Sequence, residues 1–113
     1  MEKVKKYEQV ITQFLEEFVE DKLSRLPKSV DNQIVVDREN GHYQLLRIGW
    51  DEKDYIVSLL FHFDIKNEKI WIQQNSTETL VADYFTERGV PKSDIVLGFQ
   101  PEYARPYTGF ATA

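Results

Sequence analysis

Residues 55–65 alternate without a break. Tyr55, Val57, Leu59, Phe61, Phe63 and Ile65 fall on one face of an extended chain by period two, a spacing that no helix can place on one side. The opposite face carries Ile56, Ser58, Leu60, His62 and Asp64, apolar at one end and polar at the other. A strand this long needs partners, because an isolated hairpin is barely stable in water. The flanking sequence supplies them. Residues 33–39 read as a strand that reverses at Asn40-Gly41, a pair that accepts the positive φ of a type I′ turn, and residues 42–50 read as its return. The polar turn Asp51-Glu52-Lys53-Asp54 leads into the central strand, and Lys66-Asn67-Glu68 leads out of it into a fourth, residues 69–75.

Helical periods flank this meander. Val4, Tyr7, Val10, Ile11, Phe14, Leu15, Phe18 and Val19 recur at three- and four-residue steps, which predicts a helix over residues 2–23. Its charges oppose the helix dipole: Lys3, Lys5 and Lys6 crowd the positive end, and Glu16, Glu17, Glu20 and Asp21 crowd the negative end. Tertiary packing must therefore hold it, and its apolar face is expected on the sheet. A helix-mediated dimer is the alternative, although two and a half heptads are short for a free coiled coil. Pro27 marks residues 24–32 as a connector. A second helix is predicted from Ser76 or Thr77 as N-cap, with Leu80, Val81, Tyr84, Phe85 and Arg88 on one face. It stops at Gly89, Val90 and Pro91. Residues 95–99 read as a short fifth strand. The order predicts one α+β domain over residues 1–113, two-layered, with a mostly antiparallel meander sheet of about five strands packed by both helices.

The last 14 residues, 100–113, show neither period, yet hold Tyr103, Tyr107 and Phe110 between Pro101 and Pro106. A solvated tail seldom carries three aromatics, so this segment is expected to pack on the sheet or on a neighbouring subunit. With 7 Phe, 6 Tyr and 2 Trp in 113 residues, the aromatic content exceeds what a small core hides, and a homo-oligomer is expected.

Charge narrows the function. A formal net charge of −5 opposes broad contact with a phosphate backbone, so direct DNA binding is not expected. The alternation of aromatic and basic residues at Tyr103, Arg105 and Tyr107 reads as a protein contact instead. There are 0 cysteines, which removes thiolate chemistry and disulfides. No apolar run is long enough for a membrane span and no export pattern opens the chain, so the cytoplasm is the expected compartment.

Catalytic signals are sparse. His62 and Asp64 share a strand face, and His42 lies on the preceding strand; two imidazoles and a carboxylate suit either a metal or an acid–base pair. With only 2 His and no recurring ligand spacing, a hydrogen-bonded polar cluster is the expected reading, without a metal or cofactor. Ser58 has no nucleophile elbow around it, and no glycine-rich loop cradles a phosphate. An enzyme is not expected.

Longer runs carry a resemblance. His42-Tyr43-Gln44-Leu45-Leu46, Gly49-Trp50, His62-Phe63-Asp64-Ile65-Lys66, Lys69-Ile70-Trp71-Ile72-Gln73 and Thr77-Glu78 stand in order along the chain. They are followed by Gly89-Val90-Pro91-Lys92-Ser93-Asp94-Ile95-Val96-Leu97-Gly98-Phe99, Arg105 and Thr108-Gly109-Phe110-Ala111. Together these resemble the XisI family, cyanobacterial controlling factors for excision of the fdxN DNA element. One departure is Lys66-Asn67-Glu68-Lys69, where the family commonly has an Asp-Gly turn. The resemblance implies a non-enzymatic accessory acting with an XisH-like protein and an XisF-type recombinase, and it brings no catalytic residues. The surface expected to meet a partner is His62, Asp64, Trp71, Gln73, Arg105, Tyr107 and Phe110. An alternative keeps the partner and reverses the role: an acidic, immunity-like inhibitor of a nuclease-fold XisH-like protein.

Overall fold

The computed structural model describes residues 2–113. Helix α1 (Glu2–Phe18) runs on through a π-helical turn at Val19–Leu23. Strands β1 (Val30–Asp37), β2 (His42–Asp51), β3 (Asp54–Lys66) and β4 (Lys69–Asn75) form the antiparallel meander. Helix α2 (Val81–Glu87) then crosses over to β5 (Ile95–Leu97), which pairs parallel to β4. Sheet order follows chain order, β1-β2-β3-β4-β5, so the fold is α+β with a mostly antiparallel sheet.

The core lies between α1 and one face of the sheet. Tyr7, Val10, Ile11, Phe14, Leu15 and Phe18 of α1 meet Tyr43, Leu45, Phe61, Phe63, Ile70, Ile72 and Ile95, with Val81 and Phe85 closing one side. Phe14 is its hub: its ring stands edge-on to Phe61 at 5.1 Å and to Tyr84 at 5.0 Å between centroids. The unfavourable charge order of α1 is resolved by partners distant in sequence. Lys3 pairs with Asp94 at 2.9 Å, and Lys6 donates to the Gly89 carbonyl at 3.3 Å, at the electronegative end of α2. Glu17 accepts a hydrogen bond from the Tyr84 hydroxyl.

Four sequence expectations are corrected. First, β1 begins at Val30, three residues early. Asp31 and Asn32 mask the strand period, but Val30 is buried opposite Gly49 and Asn32 accepts from Arg47 Nε at 3.1 Å.

Second, Asn40-Gly41 is not a two-residue type I′ turn. Asp37 pairs with His42 across a four-residue loop, and only Gly41 has positive φ, at 73°. Asp37 accepts from the Asn40 backbone at 3.1 Å and from its amide at 3.0 Å, and Asn40 does not take the positive φ of a type I′ turn. The two-residue turn with two positive φ values is instead Asn67 (54°) and Glu68 (60°), between paired Lys66 and Lys69.

Third, the period-two face of β3 is broken. The register shifts from Leu45↔Phe61 to Leu46↔Leu59, so Leu60 is an extra residue. Phe61 and Phe63 are fully buried, whereas Tyr55 is 54% and Val57 67% exposed. The bulge turns Tyr55, Val57 and Leu59 to the outer face, where His62 and Asp64 lie.

Fourth, α2 starts at Val81 rather than beside Ser76 or Thr77. Asn75 Oδ1 accepts from the Thr77 backbone at 2.9 Å and hydroxyl at 2.7 Å, and Thr77 Oγ1 accepts from the Thr79 backbone at 3.1 Å. These turns take the backbone donors a helix would need. The expected stop is present: Gly89 N–H bonds Thr86 O and Val90 N–H bonds Phe85 O, both at 3.1 Å.

Candidate functional site: a histidine–aspartate cluster on the outer sheet face

Cross-strand register assembles the site. His42 lies directly opposite Asp64, and Gln44 directly opposite His62, on the β2–β3 ladder. His62 and Asp64 are two residues apart on one strand, so all four side chains rise from the same outer face. A second register shift, from His62↔Gln74 to Phe63↔Ile72, makes Gln73 the extra residue of β4.

The contacts converge on one atom. Asp64 Oδ1 lies 2.6 Å from His42 Nδ1 and 2.7 Å from His62 Nε2. Its other oxygen accepts from Gln73 Nε2 at 3.2 Å, and Gln44 Nε2 pairs with His62 Nδ1 at 2.7 Å. With the Gln44 amide donating, His62 carries its proton on Nε2, aimed at Asp64. Burial pushes the Asp64 carboxyl up, but hydrogen bonds from His42, His62 and Gln73 outweigh it and hold the group below the ordinary carboxylate value. The hydrogen bond to Asp64 raises the His42 imidazole above its usual range. The His42 ring is half-exposed, while His62 and Asp64 are largely shielded.

Trp71 is paired with Asp64 on β4 and buried, flanked by two cations. Lys66 Nζ sits 4.4 Å and the Arg105 guanidinium 5.2 Å from its ring. The Trp71 indole N–H has no hydrogen-bond partner among the described residues. Arg105 is anchored by the tail itself, donating from Nε to the Gln100 carbonyl at 3.1 Å. The tail forms a 3₁₀ turn over Glu102–Tyr107 and returns to the sheet, where Ala111 bridges Val96.

Of the seven residues singled out in the sequence, His62, Asp64, Gln73, Trp71 and Arg105 therefore form one continuous patch. Tyr107 projects from the tail almost fully exposed, at 88%. Phe110 is half-buried against the core and lines an apolar groove with Ile72, Leu80, Leu97 and Phe99. Gln44 and Lys66 join the patch without having been among those seven. Gln44 stands in the same five-residue run as His42, and its place opposite His62 is the signal that register supplies.

The chemistry available is that of a carboxylate held between two imidazoles, with amides fixing the outer atoms. It suits proton exchange, a metal ion or a charged partner.

The sequence model of the family described as XisI protein matches residues 1–112. Among solved structures, a XisI-like protein from Anabaena variabilis is 38% identical, with a TM-score of 0.90 over 97% of this chain and 99% of that one. The fdxN element excision controlling factor XisI from the same organism is 32% identical, with a TM-score of 0.83 over 98% and 99% of the two chains. No curated protein matches the chain.

Proposed function

The chain belongs to the XisI family, and from that premise we propose that it is a controlling factor for excision of a DNA element of the fdxN type. The observation that carries this reading is the end-to-end likeness, in sequence and fold, to a protein described as an fdxN element excision controlling factor.

The role is non-enzymatic and works through protein contacts. A net charge of −5 gives no basis for gripping DNA, and an acidic accessory is suited to a basic protein surface. The partners are an XisH-like protein and, through it, an XisF-type recombinase. The contact surface is the patch of His62, Asp64, Trp71, Gln73 and Arg105 with the exposed ring of Tyr107. Phe110, half-buried against the core, ties the end of the tail to the domain. Exposed Trp50, Tyr55 and Phe99 leave room for self-association as well, so the working form is a homo-oligomer. Light scattering that gave only the monomer mass would remove that part.

The test is reconstitution. An excision reporter carrying the recombinase and the XisH-like protein is expected to excise its element only when this chain is added. Excision that proceeds equally without it would refute the proposal. The same components separate the inhibitor role: added chain that abolishes nuclease cleavage by the XisH-like protein would establish inhibition in place of assistance.

A further inference from the structure

We infer that His42, His62 and Asp64 form a binding site for a borderline divalent transition cation of the zinc class. The inference does not depend on the proposed role in excision.

Three observations carry it. The first is convergence: the ligating atoms of two histidines and one carboxylate all lie within 4.8 Å of one another. Both imidazole nitrogens already point at Asp64 Oδ1, from 2.6 and 2.7 Å. Four-coordinate zinc, with bonds of about 2.0–2.2 Å, spaces its ligand atoms roughly 3.3 Å apart, so each imidazole needs to part from the Asp64 oxygen by less than an ångström, and the two ring nitrogens, within 4.8 Å of each other, close onto the ion. His42 is exposed enough to make that move, and His62 and Asp64 sit on a rigid, doubly paired strand.

The second is the surrounding support. Metal-ligating imidazoles and carboxylates characteristically have their remaining polar atom held by a neighbour. Here Gln44 holds the far nitrogen of His62 and Gln73 holds the far oxygen of Asp64. To bind through Nε2, His62 shifts its proton to Nδ1, and the Gln44 amide turns over to accept it. An amide serves either orientation, which a carboxylate or a lysine in that place would not.

The third is donor type and access. Two nitrogens and one oxygen select zinc and its transition-metal neighbours over magnesium and calcium, which prefer all-oxygen shells. The open side of His42 leaves positions for water, or for a donor atom from a docked protein.

In the sequence, only 2 His and the lack of a recurring ligand spacing argue against a metal. Register supplies what spacing does not, by placing His42 directly opposite Asp64.

The test uses the intact chain, stripped of metal and titrated with zinc chloride in a calorimeter at neutral pH. One saturable site is expected, weakened at least about tenfold in His62→Ala and in His42→Ala, in line with the loss of one ligand from a small set. Cobalt(II) in place of zinc is expected to give visible d–d bands that vanish in both variants, and magnesium is expected not to compete. Circular dichroism establishes that each variant folds; the half-exposed His42 carries the test should His62→Ala not fold. Absence of saturable zinc binding, or binding unchanged in the folded variants, would overturn the inference. So would magnesium binding as tight as zinc.

Discussion

The Tyr7 hydroxyl on α1 donates a hydrogen bond to the carboxylate of Asp94, a buried acid 87 residues further along the chain. Asp94 lies in the short 3₁₀ turn, Lys92–Asp94, that enters β5, so this bond ties the first helix to the last strand. Tyr7→Phe removes the donor and leaves the acid with Lys3. Denaturant unfolding is expected to show a loss of about 1–3 kcal/mol, the usual cost of stranding a buried acceptor. A variant as stable as the parent would show that Lys3 or water satisfies Asp94 unaided.

The same contact sets an acid dependence. Burial pushes the Asp94 carboxyl up, yet hydrogen bonds from Tyr7 and Lys3 more than offset it and leave the group below its ordinary value. A carboxyl depressed in the folded state contributes stability above its unfolded pKa of about 4, and that contribution disappears as pH falls through the folded value. Thermal melts of the parent are therefore expected to drop more steeply on acidification than those of Asp94→Asn. Parallel slopes would remove Asp94 from the account.

Core packing predicts the largest single effect. Phe14 is buried and meets Phe61, Phe63, Tyr84 and Phe85. Phe14→Ala opens a cavity among rigid rings that cannot collapse readily, at a cost of about 3–5 kcal/mol. Phe14→Leu is expected to lose clearly less. Equal losses by the two in urea titrations would mean that the edge-on ring geometry, rather than volume, dominates.

A gain is expected at Glu68. Its φ of 60° is left-handed, a conformation that costs a residue with a β-carbon roughly 1 kcal/mol relative to glycine. Glu68→Gly, which restores the Asx-Gly type of turn, is expected to raise stability by about that amount. No change in melting temperature would mean that Glu68 already recovers the strain through its charge contacts.

Partner binding supplies a prediction on the surface. Tyr107 is almost fully exposed, whereas Arg105 holds the tail at the Gln100 carbonyl and lies over Trp71, so circular dichroism first establishes that the double variant Arg105→Ala, Tyr107→Ala folds. On the proposed contact with an XisH-like protein, co-purification of the two is expected to fall at least about tenfold, as truncating an aromatic and an arginine at a contact centre does. Undiminished recovery of the complex would place the contact elsewhere.

Much of the fold is visible in local pattern. The α1 face, the meander, the Gly89 stop and the fifth strand each rest on residues within a few positions of one another. Two of the errors share an origin, which is competition between a local signal and a nearby side chain. Asp37 takes the Asn40 backbone donor and moves the turn; Asn75 and Thr77 take the donors of an earlier helix start. The site was half visible: His62 and Asp64 are neighbours by period, whereas Gln44 and Lys66 carried no signal of their own.

By itself, the sequence determined that this chain alternates into a meander, that one helix face and one sheet face must meet, and that its motifs belong to the XisI family. Those follow from period, turn residues and motif order, all local in the chain. Only the tertiary structure decided which side each half of β3 presents, and which residues stand opposite one another. The physical reason is that a single extra residue in a strand inverts every side chain beyond it, and nothing in the period of Tyr55, Val57, Leu59 and Phe61 reveals that Leu60 is that residue. That one inversion brings Tyr55 and Val57 out beside Trp50, on the same broad outer face that gathers His42, His62 and Asp64 around one oxygen atom.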